Sequence, residues 1–236
     1  MSYVLCAPVV SQIGLIGSVP PEGLWEPWCE VDEERWTTLV QRVDLQVSCA
    51  PHGGEFRWQF EPSETFGIDV FDLRTEPILD LRGKRVYFRL RPGFGVGNEF
   101  IFYIVDRWNP QTGFFERAVD WAVVTEPGSD LVRPGATGLG PVGTQPWGAY
   151  GPEYRWLAYR FAPDGRTVWL EHSADCEEWT VGLEVPVPEG SPSFGAAVGI
   201  VHYGAQASQS TEGMTGGAIS SIYIETVGAG DPEATP

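Results

Sequence analysis

The stretch YRWLAYRFAPDGRTVWLEHSADCEEWTV, residues 154–181, decides the fold class. It contains two segments of alternating polarity, and the side chains expected on one face are Leu157, Tyr159 and Phe161, then Val168, Leu170 and His172. Pro163-Asp164-Gly165 supplies a tight turn between the two segments. Ser173-Ala174-Asp175 then opens a second turn, with side-chain bonds to backbone amides, and Trp179 begins a third strand. The stretch therefore predicts three consecutive antiparallel strands.

The same rhythm extends over the chain, where 29 glycines and 20 prolines punctuate short strand-like segments. Sustained helical periodicity is scarce. Both faces of residues 99–105 are apolar, which predicts a central strand covered on both sides. The predicted strands are residues 44–49, 54–60, 66–71, 85–91, 99–105, 118–125, 154–161, 167–173, 180–185, 195–203 and 218–226. So many strands without intervening helices predict an all-β fold, one antiparallel β-sandwich domain.

Two segments carry weaker patterns. Trp36, Leu39 and Val40 fit a helical stripe within residues 32–43, so we expect a short helix or turn there, although the β-branched residues also suit a strand. The Gly/Pro-rich residues 126–152 predict a long loop, of the kind that is functional or covers a sheet edge. Three parts follow in order: an N-terminal arm and lead-in, residues 1–43; the sandwich, residues 44–227; and a flexible tail, residues 228–236.

Charge excludes two classes of partner. The 236-residue chain has a formal net charge of -17, which repels phosphate backbones and anionic membranes, so we expect no nucleic-acid partner and no membrane insertion. No Lys or Arg precedes Arg35, so the apolar residues 3–19 lack the positive start of an export signal. We therefore expect no signal peptide.

The cysteines do not predict a metal centre. Cys6, Cys29, Cys49 and Cys176 form no CxxC pair and have no histidine at metal-ligand spacing. Two alternatives stay open for the first three: buried free thiols, or one disulfide among them. We predict no metal site and no cofactor.

Residues 154–181 resemble the concanavalin A-like (laminin-G or jelly-roll) pattern, in which a strand, an Asp-Gly turn, a strand and an S-x-D-G-x-x-W turn follow in order. Ser173, Asp175 and Trp179 match the last turn, and Cys176 stands where the pattern usually has glycine. The resemblance implies a concanavalin A-like jelly roll. It also implies that Trp179 is buried across the sandwich core, near Val168 and Leu170.

The run is also similar to modules in minor tail proteins of phages that infect actinobacteria, through its opening Tyr154-Arg155-Trp156. That likeness covers about residues 150–226. It implies a non-enzymatic virion protein, a minor tail or tail-tip component made in the host cytoplasm, for assembly or host-surface attachment. The implied partners are other virion proteins, further copies of the chain and a host cell-surface glycan.

A carbohydrate-binding, lectin-like module is the first alternative. Sugar-binding faces use exposed aromatic rings that stack on the C–H faces of pyranoses. The candidate platform consists of Trp108, Trp121, Trp147 and Tyr150, which lie in or beside predicted loops. The competing interpretation is that these aromatic residues fill the core or a subunit contact.

A glycoside hydrolase of the same fold is the second alternative, because such enzymes carry E-x-D-x-E on one strand. Glu30, Asp32 and Glu34 have that spacing, but Glu33 occupies a position where an inward apolar residue is expected. The run also precedes the strand region and suits the first turn of a helix. We therefore assign no catalytic residue and predict that the protein is not an enzyme.

Overall fold

The structure is a computed structural model. The residues that it describes are 23–25, 36–41, 46–49, 55–60, 69–75, 81–91, 99–109, 114–126, 129–139, 145–187, 197–203 and 215–227. Within them the regular structure is β, apart from one turn of 3-10 helix at Pro152–Tyr154. None of the described helical segments has the length and apolarity needed to span a bilayer.

The strands, in chain order, are β1 Gly23–Trp25, β2 Trp36–Gln41, β3 Gln46–Cys49, β4 Glu55–Phe60, β5 Asp69–Thr75, β6 Lys84–Phe88, β7 Leu90–Arg91, β8 Glu99–Asn109, β9 Phe114–Glu126, β10 Ser129–Thr137, β11 Gly148–Ala149, β12 Trp156–Phe161, β13 Thr167–Ser173, β14 Thr180–Pro186, β15 Ala197–Tyr203, β16 Thr215–Ser220 and β17 Ile222–Thr226. All described pairings are antiparallel. The predicted all-β antiparallel fold class is confirmed.

One layer is a seven-stranded sheet in the order β11-β10-β9-β8-β15-β5-β2. Strand β8 lies between β9 and β15, which confirms the central position predicted for residues 99–105 from their two apolar faces. The long β9 pairs with β8 on one side and with β10 on the other. The middle of this sheet is therefore built from β8 and β9.

A six-stranded sheet, β1-β17-β6-β12-β13-β14, and a four-stranded sheet, β3-β4-β16-β7, are joined by shared chain segments. Only Arg89 separates β6 from β7, and only Ser221 separates β16 from β17. Two hydrogen bonds connect the chain at these two points. The Arg89 amide donates to Ser220 Oγ at 2.8 Å, and the Ser220 amide donates to the Arg89 carbonyl at 2.9 Å. A side-chain hydroxyl thus completes the ladder where the chain passes from one sheet to the next.

The core lies between the six- and seven-stranded sheets. The predicted inward residues of the hairpin, Leu157, Tyr159 and Phe161, are all buried, and so are Val168 and Leu170 on the partner strand. Across from them, the seven-stranded sheet contributes Val119, Trp121, Val123 and Val132. The alternation seen in the sequence therefore sets which face of each strand is buried.

Trp121 spans the two sheets. Its indole Nε1 donates to the Ala158 carbonyl at 3.0 Å, and its backbone amide donates to the Tyr159 hydroxyl at 2.9 Å. A methyl group added at Gly182 would lie 3.3 Å from the Trp121 ring, so the absence of a side chain there makes room for the indole. Trp121 has no exposed surface.

Two secondary-structure predictions are wrong. Residues 36–41 form β2, the edge strand beside β5, since the β-branched residue types at Thr37, Thr38 and Val40 favour extended backbone over a helix. Residues 129–137, predicted as part of a loop, form β10 and pair with β9 over nine positions. Pro134 is tolerated because β11 pairs with β10 only at Leu131 and Val132, away from the proline.

The sheets also include part of the segment predicted as an arm. Strand β1 pairs with β17, and β2 pairs with β5, so both sheets take an edge strand from residues 1–43. The predicted tail, residues 228–236, lies outside the described residues, as does the Glu30–Glu34 run. Of the cysteines, Cys176 is a free thiol, and the side chains of the other three are outside the described part of the chain.

Candidate functional site

The outer face of the six-stranded sheet carries a dense set of arginine, aromatic and carboxylate side chains. Cross-strand register aligns them in rows, since residues opposite each other on neighbouring strands share a face. We call this surface the arginine–aromatic face; its members are Arg85, Tyr87, Arg89, Trp156, Arg160, Trp169, Glu171, Trp179, Tyr223 and Glu225. Because side chains alternate along a strand, these residues point away from the core.

An ion-pair network connects two neighbouring rows of the face, since Arg85, Arg160 and Glu225 share one row and Glu171 lies in the next. Arg85 Nε donates to Glu171 Oε2 at 3.0 Å and its Nη1 donates to Glu225 Oε1 at 2.7 Å, while Arg160 Nε donates to Glu171 Oε1 at 2.6 Å. The Glu171 side chain is only 3% exposed, against 31% for Glu225. Burial opposes the charge on Arg85, but the two carboxylates outweigh it and raise the pKa of the guanidinium. Paired in this way, the charges hold the strands in one geometry.

Three aromatic rings surround Tyr87 on the same face. The Tyr87 ring stacks on Tyr223 at 5.3 Å between centroids and meets Trp156 and Trp179 edge-on at 5.8 and 5.6 Å. These separations are those of favourable aromatic pairs. Tyr87 is buried although it lies on an outer face, and burial raises the pKa of its phenol. The rings therefore form a small packed cluster outside the main core.

Each tryptophan of the face has a guanidinium over its ring. The Arg160 guanidinium carbon lies 3.9 Å from the Trp169 ring centroid, and the corresponding distance for Arg89 and Trp156 is 4.8 Å. Arg85 lies 4.9 Å from the Trp179 ring centroid. Such cation–π contacts fix the orientation of rings that remain partly exposed.

The turn that places Trp179 has the side-chain bonds predicted from Ser-Ala-Asp. Ser173 Oγ accepts from the amides of Asp175 and Cys176 at 3.2 and 3.0 Å. Asp175 Oδ1 accepts from the amides of Glu177 and Glu178 at 2.9 and 3.2 Å, and these bonds lower the pKa of Asp175. The Asx-type turn is confirmed.

Cys176 has a φ of 72°, the left-handed conformation for which glycine is best suited, so the glycine of the family pattern has a steric reason. The turn folds back so that Trp179 Nε1 donates to the Cys176 carbonyl at 3.2 Å and the ring lies on the outer face. The prediction that Trp179 is buried across the core is therefore wrong. Val168 and Leu170 point to the opposite side of the sheet.

Of the four residues predicted as a sugar platform, the side chains of Trp121, Trp147 and Tyr150 are described, and they do not form one exposed surface. Trp121 shares the inward side of β9 with Val119 and Val123, so its assignment to an exposed platform is wrong. Trp147 is half-buried, and its ring lies 4.3 Å from the Arg133 guanidinium, beside the seven-stranded sheet. Trp108 belongs to β8, but its side chain is outside the described part of the chain.

Tyr150, the fourth platform residue, packs against the end of the core. Its hydroxyl donates to the Leu90 carbonyl at 2.6 Å, its ring stacks on Tyr154 at 6.2 Å, and burial raises the pKa of its phenol. His172 stacks on Tyr154 at 4.1 Å and meets Trp121 edge-on at 6.4 Å. These contacts give Tyr150 and His172 structural roles at this end of the sandwich.

Sequence reasoning missed the arginine–aromatic face, although a signal for it was present. Arg85, Tyr87 and Arg89 alternate with apolar residues, and Trp156 and Arg160 do the same on β12. A solvent-facing strand side that carries arginine and aromatic residues instead of small polar ones indicates a built surface. Among the described residues, no three of His, Cys, Asp and Glu lie close enough to hold a metal ion.

Known proteins resemble this chain in fold. No model of a protein family matches the sequence, and no curated protein matches it. A β-1,3-1,4-glucanase (lichenase) derived from a mouse hindgut metagenome superposes with a TM-score of 0.51 at 7% identity, over 84% of this chain and 95% of that chain. The Bacillus licheniformis β-glucanase has a TM-score of 0.51 at 14% identity, over 86% and 98%.

A third solved structure, the Emp47p carbohydrate recognition domain, has a TM-score of 0.46 at 11% identity, over 84% of this chain and all (100%) of that domain. At such identities the likeness concerns the fold alone. The two glucanases are enough to identify the sandwich as a concanavalin A-like jelly roll, which confirms the fold predicted from residues 154–181.

Proposed function

We propose that the protein is a non-enzymatic glycan-binding component of a phage virion, a minor tail or tail-tip protein, and that the arginine–aromatic face contacts the glycan. One observation carries the binding part of this proposal. Trp156 and Trp169 are half-buried on the outer face of the six-stranded sheet, and each is held in place by an arginine stacked on it. A ring fixed in this way offers its exposed surface to a ligand without a large loss of side-chain entropy on binding.

The chemistry of the face suits a sugar. Pyranose rings present C–H faces that pack on an indole, and their hydroxyls need planar donors and acceptors nearby. Arg160 lies beside Trp169, while Arg85 and the half-exposed Glu225 lie along the same row. The face thus combines stacking surface with hydrogen-bonding groups in a rigid arrangement.

The absence of catalysis is part of the proposal. Glycosidases need one carboxyl group able to protonate a leaving oxygen and a second one that reaches the sugar. On this face, Glu171 and Glu225 both accept hydrogen bonds from Arg85, and Glu171 is almost fully enclosed. Both carboxylates of this face are therefore engaged in ion pairs with arginine. We expect no release of reducing ends from mixed-linkage β-glucan.

The virion part rests on the resemblance of about residues 150–226 to minor tail protein modules. A tail-tip protein that recognises a host-surface glycan needs a binding face on a stable scaffold, and a rigid sandwich with an organised outer face is compatible with that need. Mass spectrometry of particles of the phage that encodes the chain should find it in stoichiometric copies. Its absence from particles would reject the virion part and leave the glycan-binding part to be judged separately.

A glycan array with the purified full chain tests the binding part. Trp156→Ala and Trp169→Ala should each reduce affinity by roughly tenfold, the effect of losing about 1.4 kcal/mol of stacking. Trp147→Ala is the matched control, because Trp147 is also half-buried and also stacked on an arginine, but beside the other sheet. If Trp147→Ala abolishes binding and the other two variants retain it, the contact surface is the seven-stranded sheet.

A further inference from the structure

The arginines in and beside the arginine–aromatic face fall into two kinds. Arg85 and Arg160 are held by the carboxylates of Glu171 and Glu225. Arg89 and its neighbour Arg155 make no ion pair with any carboxylate of the described residues. The chain has a net charge of -17, yet no described carboxylate neutralises either of these two guanidiniums.

Arg89 is held in place by its backbone and by an aromatic ring. The hydrogen bonds that its amide and carbonyl make with Ser220 fix the main chain on both sides of the side chain. Its guanidinium lies over the Trp156 ring at 4.8 Å. A cation–π contact uses the flat surface of the guanidinium and leaves its N–H edges free to donate to another group.

Arg155 is the residue directly before Trp156 in the chain. It is exposed, and its amide donates to the Pro152 carbonyl at 3.2 Å at the end of the short 3-10 helix. Burial raises the pKa of the Cys176 thiol to about 12, the negative charges of Glu225 and Asp175 raise it further, and the positive charges of Arg89 and Arg155 oppose them. The Arg89 guanidinium lies over the Trp156 ring and Arg155 directly precedes Trp156 in the chain, so both cations lie at the Trp156 end of the face.

We infer that Arg89 and Arg155 bind an oxyanion of the glycan, a carboxylate or a phosphate, next to a sugar stacked on Trp156. This inference rests on the proposed glycan binding and names the class of ligand. The guanidinium fork matches the geometry of carboxylate and phosphate oxygens, and such charge-assisted bonds are strong. The net charge of -17 that argues against a nucleic-acid partner also opposes an anionic glycan. Charges farther away than the Debye length of about 8 Å are, however, largely screened at physiological salt, so the local cations Arg89 and Arg155 decide the binding.

The two halves of the face then have different tasks. The charges of Arg85 and Arg160 are neutralised by Glu171 and Glu225, which stabilises the sheet and leaves little attraction for an anion. The charges of Arg89 and Arg155 are not neutralised in this way and can attract the ligand. The anion site is therefore confined to the Trp156 end of the face.

Binding of the full chain to three immobilised polysaccharides tests the inference: neutral mixed-linkage β-glucan, polygalacturonate with carboxylates, and a teichoic acid with phosphodiesters. We expect tighter binding to one of the two anionic polymers than to the neutral one, weakening as salt increases. Arg89→Gln and Arg155→Gln should each weaken that binding about ten- to a hundredfold. Competition by free glucuronate or by inorganic phosphate distinguishes the two sources of the oxyanion.

Arg166→Gln is the control, since Arg166 is an exposed arginine at the far end of the hairpin, about 17 Å along β12 from Trp156. It should bind as the unchanged chain does. Melting temperatures of Arg89→Gln and Arg89→Lys show whether either variant is less well folded. If both fold as the unchanged chain does, weaker binding by Arg89→Lys reports loss of the planar guanidinium fork, since the charge is kept. Preference for the neutral polymer, or unchanged anionic binding in both glutamine variants, would overturn the inference while glycan binding stands. Failure to bind all three polymers and the wider array would reject the proposed function itself.

Discussion

The two faces of the six-stranded sheet are held together by different forces. On β12, the inward residues Leu157, Tyr159 and Phe161 are buried by apolar contact with the opposite sheet. The outward residues Trp156 and Arg160 are only half-buried and are fixed by cation–π contacts and an ion pair. The interior is thus stabilised mainly by removal of apolar surface from water, whereas the outer face depends on charge pairing in a partly wet environment. The same strand therefore contributes to a core and to an organised surface.

The largest expected effect lies in the interior. Trp121→Ala removes a fully buried indole that bridges both sheets, so we expect a loss of about 4 kcal/mol of unfolding free energy in urea titrations. Trp121→Phe keeps most of the ring contact and loses the bond to the Ala158 carbonyl, so its cost should be about 1–2 kcal/mol. A loss below 1 kcal/mol in the alanine variant would contradict the cross-sheet role of this residue.

The next effect tests whether the outer face contains a truly buried charge. Glu171→Gln leaves Arg85 and Arg160 without their shared partner, and the expected loss is about 3 kcal/mol. Glu225→Gln is the control, because that carboxylate binds Arg85 at 2.7 Å but is 31% exposed, so its loss should stay below about 1 kcal/mol. Equal losses in denaturant titrations would show that burial does not distinguish the two pairs.

Stability at high pH probes both faces together. Burial raises the pKa of Tyr159 in the interior and of Tyr87 outside it, whereas in the unfolded chain both titrate near 10.0. Below pH 10 neither group makes stability depend on pH. Above it the unfolded state loses a proton that the folded state keeps, so stability falls by up to about 1.4 kcal/mol per pH unit for Tyr159.

Tyr159→Phe should make the fall above pH 10 shallower in thermal melts, at some cost near neutrality, because the hydroxyl accepts the Trp121 amide. Tyr87→Phe should reduce the slope just above pH 10 by a similar amount, because each raised phenol contributes one proton to the difference between the unfolded and folded states. An unchanged slope in Tyr87→Phe would mean that the outer aromatic cluster opens to solvent before the core does.

The two half-buried tryptophans should have smaller effects than Trp121. Trp179→Ala removes an edge contact with Tyr87 and the stacking of Arg85, worth about 1–2 kcal/mol together. Trp147→Ala removes one cation–π contact with Arg133, worth about 0.5–1 kcal/mol. Melting temperatures of both variants, measured beside Trp121→Ala, check the order. A decrease in melting temperature for Trp179→Ala as large as that for Trp121→Ala would show that Trp179 is part of the core.

The smallest effect concerns the turn. Cys176→Gly removes a side chain from a left-handed backbone position, so we expect a gain of less than about 1 kcal/mol after the lost contacts of the thiol are subtracted. Ala174→Gly is the control, since Ala174 is exposed in the same turn and has no positive φ. It should be slightly destabilising. A destabilised Cys176→Gly would show that thiol packing outweighs backbone strain.

The sequence predicted the sandwich because its hairpin is locally consistent. Residues 156–173 combine period-two polarity with an Asp-Gly turn, and both features act over neighbouring residues. Strand β10 is not predicted from the sequence because Pro134 and Gly135 have low propensity for a strand. It forms because its backbone pairs with β9, and that pairing depends on residues outside the segment. Secondary structure that depends on a partner is not visible in the segment itself.

The candidate site was harder to predict for a related reason. The sequence neighbours of Trp121 predict an exposed ring, and those of Trp179 predict a ring in the core. In the structure Trp121 is in the core and Trp179 is on the outer face. Trp121 follows the inward parity of β9, which only its strand assignment reveals. Trp179 is directed outward by a turn that returns over the sheet, and the bond from its indole to the Cys176 carbonyl has no counterpart in strand periodicity. A tertiary contact determines each position.

The reactivity of the Cys176 thiol can report how often the turn opens. With a pKa of about 12, only about one thiol in ten thousand is ionised at pH 8 in the folded turn. Once the turn opens, the thiol returns towards its ordinary value of 9.0, and the reactive thiolate becomes about a thousandfold more abundant. The rate at which iodoacetamide alkylates Cys176 therefore increases with the fraction of molecules in which the turn is open. A glycan held by Arg89 and Arg155 should slow that rate.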